Sequence, residues 1–166
     1  MTASDTSDRS DPSVATDDGQ RLHDHLDGVR TVMLTSLDDT GSIRSRPLTL
    51  LERSTAGDLW FLVDRQAAWV GTGMDAVDVS VVATDLWMSM SGRAVVDDDP
   101  QRIEELSTVI TDAYFEQGDD PVALHVVVDR ADVWTAPNKL RQLVGVATAI
   151  FKDERPDLGD REELEP

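Results

Sequence analysis

The sequence contains no cysteine, which excludes disulfides, thiolate metal sites and a cysteine nucleophile. Lysine is almost missing too: Lys139 and Lys152 are the only two, so nearly every cation is an arginine. No apolar run approaches the ~20 residues with which a helix crosses a bilayer, and no membrane partner is expected. The opening, Met1-Thr-Ala-Ser-Asp5, is polar and acidic, the opposite of a secretory leader. The cytoplasm is therefore the expected location.

What the chain has in excess is acid. Its formal net charge is −18. Residues 1–20 hold five acids and one base, and residues 152–166 hold seven acids and three bases, so each end contributes −4 and the middle −10. No nucleic-acid partner is expected on this ground, because phosphate binding needs a positive patch. An Asp-rich, Lys-poor surface suits a cell interior of high salt, where screening removes self-repulsion. A GC-rich genome yields the same composition, and both explanations stay open. A length of 166 residues with 40% hydrophobic content fits one domain. That domain is expected over 18–154, between a disordered acidic tail at 1–17 and a mobile acidic tail at 155–166.

Hydrophobic periodicity divides this domain into mostly strands. A short helix is expected over 18–28, with Leu22 and Leu26 on one face and Gly28 ending it. His23 and His25 diverge on that helix and are no metal pair. Strands are expected over 31–37, 42–51, 59–63, 77–84, 87–96 and 122–134, the first three as an antiparallel meander. Residues 64–70 suggest one or two helical turns. Asp99-Pro100 starts a helix that is expected to reach about Phe115 and to bury Ile103, Leu106, Val109, Ile110 and Ala113. Asn138 opens a last helix that ends before Pro156. His125 reads as an ordinary sheet residue.

The sequence reads as organised around residues 42–64. Arg44 and Arg46 alternate, so both leave one face of their strand, and Pro47 suits a strand edge because it has no N–H. Arginine on an otherwise apolar hairpin is costly to desolvate without an anion or a carboxylate; the alternative is that both simply reach water. Gly71-Thr-Gly73-Met-Asp-Ala76 matches a dinucleotide fingerprint as a string, but a strand follows it where a helix is required, so it is set aside. Ser89-Met-Ser91-Gly92 is no nucleophile elbow, no residues have metal-ligand spacing, and no catalytic acid or base stands out. What remains is a set of basic and aromatic residues: Arg44, Arg46, Trp60-Phe61, Trp69, Trp87 with Ser89 and Ser91, and Trp134 with Lys139 and Arg141. Such groups clamp a flat anionic ligand, or else the tryptophans are core or dimer-interface residues.

The order and wording of Val32-Met-Leu-Thr-Ser-Leu-Asp-Asp-Thr-Gly41, Ser45-Arg-Pro47, Leu59-Trp-Phe61, Met88-Ser-Met-Ser-Gly92 and Trp134 resemble the flavin-binding split-barrel proteins. The nearest branch is the general stress protein 26 group of the pyridoxamine 5′-phosphate oxidase-like superfamily, over roughly residues 20–158. The resemblance implies an α+β fold, mainly β with flanking helices, built on a six-stranded antiparallel split barrel. It also implies a homodimer with FMN sites at the subunit interface. Arg46 would face the flavin phosphate, with Arg44 beside it. Pro47, Leu48, Thr49, Phe61, Leu62 and Val63 would lie along the ribityl chain and ring, mainly through backbone groups. The partner subunit would add Trp87 and Ser89, and the segment from Trp134 with Lys139 would help to close the site; Trp69 either faces the ligand or fills the vacated phosphate pocket of a chain that uses the fold without flavin.

The sequence departs from that family pattern where a Ser-x-Lys normally holds phosphate: Ala67-Ala68-Trp69 stands there, after Val63 in place of Thr. Leu51 or Glu52 occupies the place of a second phosphate lysine. Each lost charged contact is worth about 1.5–3 kcal/mol. Two functions follow as expectations. One is an FMN-dependent oxidoreductase acting on an unknown small molecule. The other is a cofactor-free dimeric binding or stress-response protein, and a deazaflavin or haem in the same groove is a further variant.

Overall fold

The computed structural model describes residues 12–107, 119–136 and 160–166, with side chains from residue 17 onward in the first stretch. Helix α1 (Pro12–His25) comes first. Strands β1 (Thr31–Leu37), β2 (Ile43–Thr49), β3 (Glu52–Arg53), β4 (Asp58–Asp64), β5 (Val77–Val82) and β6 (Leu86–Asp97) follow. Helix α2 (Pro100–Leu106) precedes the long β7 (Pro121–Thr135) and a short β8 (Asp160–Leu164). All pairings are antiparallel, in the order β2-β1-β5-β6-β7-β4-β3, with β8 also on β7. The six expected strands are present, and β3 and β8 are additions. The fold is the expected one, mainly β with helices against a curled antiparallel sheet.

The curl follows from one junction. Strands β2 and β3 lie at opposite ends of the sheet order, yet only Leu50 and Leu51 separate them. The Leu50 N–H donates to the Arg30 carbonyl beside β1 at 2.9 Å, and the Leu51 N–H donates to the Trp60 carbonyl of β4 at 3.0 Å. Adjacent residues thus hydrogen-bond to opposite ends of one sheet, which requires the sheet to roll up. The expected meander ends here, because β2 and β4 are not neighbours: among the described residues β2 pairs only with β1, and β4 pairs with β7 and β3. Beyond Trp60, no strand pairs with β4 on its outer edge among the described residues, and this gap is the split of the barrel.

Strand alternation fills the interior. Val32 and Leu34, Leu59, Phe61 and Val63, Val77, Val79 and Val81, and Met88 and Met90 are all buried. In β7 the buried set shifts from Val122, Leu124, Val126 and Val128 to Ala131 and Val133. A bulge causes the shift, since Gly92 faces Val128 while Ser91 faces Arg130, leaving Asp129 unopposed. Gly92 is required beside it, because a Cβ there would collide with the Val127 carbonyl.

Several expectations change. Residues 64–70 form successive turns rather than a helix, with Ala67 N–H to the Asp64 carbonyl and Val70 N–H to the Ala67 carbonyl. Helix α2 ends at Leu106 because Ser107 turns extended; its N–H and hydroxyl both take the Ile103 carbonyl. Ile103 is half-buried and Leu106 buried; Val109, Ile110 and Ala113, like the helix expected from Asn138, lie outside the described residues. Helix α1 begins at Pro12, inside the tail expected to be disordered, since proline suits the first helical turn.

The C-terminal tail, expected to be mobile over 155–166, ends in β8. It occupies the β7 edge at Ala131–Thr135, which β4 leaves unpaired. Leu164 is fully buried. Glu162 meets Arg21 and His25 of α1, and the Glu165 N–H donates to Asp18, so the two ends of the chain hold one another. Leu164→Ala is expected to cost about 2–4 kcal/mol and to speed amide exchange at Leu22 in α1 and at Leu26 just after it. Denaturant titration with hydrogen-exchange readout tests this; an unchanged midpoint would mean that β8 is not docked in solution.

Candidate functional site

The inner row of β2 runs from core to solvent: Leu50 is buried, Leu48 and Arg46 half-buried, and Arg44 exposed. Opposite it, β1 places Val32, Leu34 and Ser36 inside. Arg46 faces Leu34 in the register and reaches diagonally to Ser36, donating from Nη1 to the hydroxyl at 2.9 Å. Its guanidinium lies over the Trp69 ring, 4.2 Å from the centroid. Burial pushes the Arg46 pKa down from its ordinary value, and the group remains charged at any physiological pH. Among the described residues, no carboxylate is within ion-pair distance of it.

Arg44 is held elsewhere. Its Nε donates to Asp38 at 3.1 Å across the β1–β2 turn, so the carboxylate keeps it from joining Arg46. Asp38 also accepts from the Thr40 hydroxyl at 2.6 Å and from the N–H groups of Ser42 and Thr40 at 2.9 and 3.0 Å. These bonds, led by the Thr40 hydroxyl, hold its carboxyl well below the usual carboxylate range.

Backbone register decides what else faces the split. The Leu50 N–H bonds towards β1, so Ser45, Pro47 and Thr49 turn their backbone groups to the open edge. The N–H that Pro47 lacks is thus one that no strand needs, and its loss blunts the edge against strand addition. Likewise the Trp60 carbonyl points to the β3 side, so the backbone groups of Leu62 point into the gap. The side chains of Phe61 and Val63 are buried in the core, and by the same alternation their backbone groups face β7, so neither residue reaches the gap as expected.

The remaining candidates lie on the outer face. Trp87 and Trp134 are cross-strand partners there, and Arg161 sits 5.7 Å over the Trp134 ring. Ser89 donates to Asp78 at 2.5 Å. Within one chain, then, Arg46, Leu48, Thr49, Leu62 and Trp69 come together at the split, whereas Trp87, Ser89 and Trp134 do not join them. Lys139 lies outside the described residues. Gly71-Thr-Gly73 is a turn that packs on β1 at the Leu37 carbonyl, with no room for a Cβ at Gly73, and it cradles no phosphate.

Sequence reasoning missed Ser36, whose signal is a hydroxyl residue in the inward row after Val32 and Leu34. It also missed a stack on the outer face of β4. The Trp60 ring lies 4.0 Å from that of His125, and Arg102 of α2 covers its other side at 4.1 Å. His125 also meets Asp58 at 2.7 Å, and Arg102 is paired with Glu52. His125 is therefore more than an ordinary sheet residue, although it faces away from the split. No cluster of three potential metal ligands exists among the described residues, and none of the described helices is long and apolar enough to cross a membrane.

The family described as "Pyridoxamine 5'-phosphate oxidase like" matches residues 17–157. The chain belongs to this family. Among solved structures, a general stress protein 26 from Jannaschia sp. CCS1 is 24% identical with a TM-score of 0.62, covering 87% of this chain and 95% of its own. The general stress FMN/FAD binding protein of Xanthomonas citri is 25% identical with a TM-score of 0.56, covering 75% and 90%. A heme binding protein from Mycobacterium smegmatis is 15% identical, with a TM-score of 0.52 over 75% of this chain and 55% of its own. No curated protein matches the chain.

For a pyridoxamine 5′-phosphate oxidase-like chain, the donor set fits a phosphate held mainly by one arginine. Arg46 offers free N–H groups with no competing carboxylate among the described residues, whereas Ala67 and Ala68 have no side-chain donor and the Trp69 ring lies against the guanidinium. Asp38→Ala should destabilise the β1–β2 turn at neutral pH. Because the folded pKa of Asp38 is depressed, its contribution is fully present above the unfolded value of about 3.9 and fades as pH falls below it. Melting curves from pH 7 to pH 2 check this. The gap between wild type and Asp38→Ala should narrow with acid, and a gap that stays constant would contradict the assignment.

Proposed function

We propose that this protein binds FMN in the barrel split, and that it serves as a flavin-dependent oxidoreductase acting on a small molecule. The observation that carries this reading is Arg46: a charged, half-buried guanidinium at an open strand edge, with no carboxylate partner among the described residues. A cation so placed is stabilised by an anionic ligand. Backbone groups of Thr49 and Leu62 are oriented to meet the polar chain and ring edge of that ligand. The family membership and the likeness to an FMN/FAD binding protein support the same ligand.

When bound, the flavin would supply the electron and hydride chemistry, while the chain would bind it, orient it and keep water from its ring. We propose further that the protein acts as a homodimer. Met33, Leu37, Ile43 and Val82 are exposed on the outer face, and apolar surface of this kind marks contact with another chain. A second subunit would also bring Trp87 and Ser89 to a site that one chain leaves open. The haem variant is less favoured, because all three histidines lie away from the split: His23 meets Asp24, His25 meets Glu162 and His125 stacks on Trp60.

One observation favours the cofactor-free alternative. The Trp69 ring covers one face of the Arg46 guanidinium, near where the family pattern places a phosphate-binding lysine. Titration with FMN at low and at molar salt, read by tryptophan quenching and by flavin absorbance, separates the two. Saturable quenching in the micromolar range is expected, with Arg46→Ala weaker by about tenfold or more. No quenching in either salt would overturn the flavin reading and leave the cofactor-free one. Sedimentation of the same samples should give a dimer, and a monomer at all salt concentrations would contradict the shared site.

A further inference from the structure

We infer that Ser36 and Trp69 are positioning residues for Arg46, and that the Trp69 ring takes the place of a second phosphate cation. This rests on the flavin reading above. Ser36 is the one buried polar side chain among the described residues, in a β1 row otherwise made of Val32 and Leu34. A buried hydroxyl is unfavourable unless it is hydrogen-bonded, and here its partner is Arg46. The opposing contact comes from a different element, the 64–76 turn, where Trp69 packs against the core with its ring centroid 4.2 Å from the guanidinium carbon. That turn is itself fixed: the Trp69 carbonyl accepts from Thr72, Gly73 closes on the Leu37 carbonyl, and the Met74 carbonyl accepts from Ala94 of β6.

The geometry has a chemical consequence. A guanidinium carries five N–H donors in one plane. One edge is held by Ser36 and one face is covered by Trp69, so an anion meets the remaining donors within the plane. That is the approach of a phosphomonoester accepting two parallel hydrogen bonds. A long arginine free to rotate would lose that freedom on binding, whereas this one is already placed. The chain therefore reads phosphate by the preorganisation of one contact rather than by the number of charges. The ligand class is a planar ring system bearing a terminal phosphate, FMN in preference to unphosphorylated riboflavin.

The experiment compares FMN and riboflavin affinities, by flavin fluorescence, in wild type and in the variants Trp69→Ala, Trp69→Phe, Ser36→Ala and Arg46→Ala. Trp69→Ala and Ser36→Ala should each weaken FMN by about tenfold while leaving riboflavin unchanged. Trp69→Phe keeps a ring on the guanidinium and should retain most of the FMN affinity. Arg46→Ala should abolish the preference for FMN. Tighter FMN binding by Trp69→Ala would overturn the inference, because the ring would then be filling the site rather than shaping it. Equal losses for both ligands would overturn it as well, as they report general loosening. If wild type binds both flavins alike, this inference falls and the flavin reading stands; if it binds neither, both fall. Should Trp69→Ala fail to fold, Ser36→Ala and Trp69→Phe carry the same test.

Discussion

Two adjacent residues, Leu50 and Leu51, constrain the rest of this structure. One N–H reaches the start of β1 and the next reaches β4, the two far sides of a single antiparallel sheet. No flat sheet satisfies both bonds. The roll that satisfies them leaves β2 and β4 facing across a gap rather than pairing, which is why the barrel is split. The position of Arg46 is a consequence, because four residues before the junction the inner row of β2 has reached the rim of the interior. Leu50 belongs in the core, and an arginine four positions earlier in the same row is drawn half into it.

Charge gives that position its meaning. Acids outnumber lysine and arginine by 33 to 15, so an arginine at random on this surface finds a carboxylate. Arg44, Arg53, Arg65, Arg93, Arg102 and Arg161 all do. Surface pairs of this type contribute about 0–1 kcal/mol each, and they fix local geometry more than they stabilise the fold. Arg46 differs in meeting no carboxylate among the described residues; a hydroxyl and an indole face hold it half-buried instead. Cation–π contact contributes about 0.5–2 kcal/mol and offsets part of its desolvation without neutralising the charge. The result is a placed cation still able to bind an anion.

Much of this was legible in the residues. The alternation Val77-x-Val79-x-Val81 and its counterparts in β1, β4 and β6 marked strands, Asp99-Pro100 marked the start of α2, and Pro47 marked an edge. The arginine pair on one face marked the site region, although only Arg46 belongs to it; Asp38 takes Arg44 through a turn geometry that spacing does not reveal. Strand β8 was not legible, because Asp-Arg-Glu-Glu-Leu buries little beyond Leu164 and pairs only since β4 leaves the end of β7 vacant. The meander that short links suggest does not form, because such links say nothing about which edge each strand uses. Ser36 is not legible because a single hydroxyl in an apolar row looks like tolerance until its partner is known.

Heteronuclear NMR of the arginine side chains tests the central claim most directly. A guanidinium clamped between Ser36 and a tryptophan ring should give an Arg46 Nε–H signal shifted by the ring, slow to exchange with water, and perturbed by FMN but not by riboflavin. An Arg46 signal that coincides with those of the exposed arginines, or one that both flavins leave unmoved, would contradict the account.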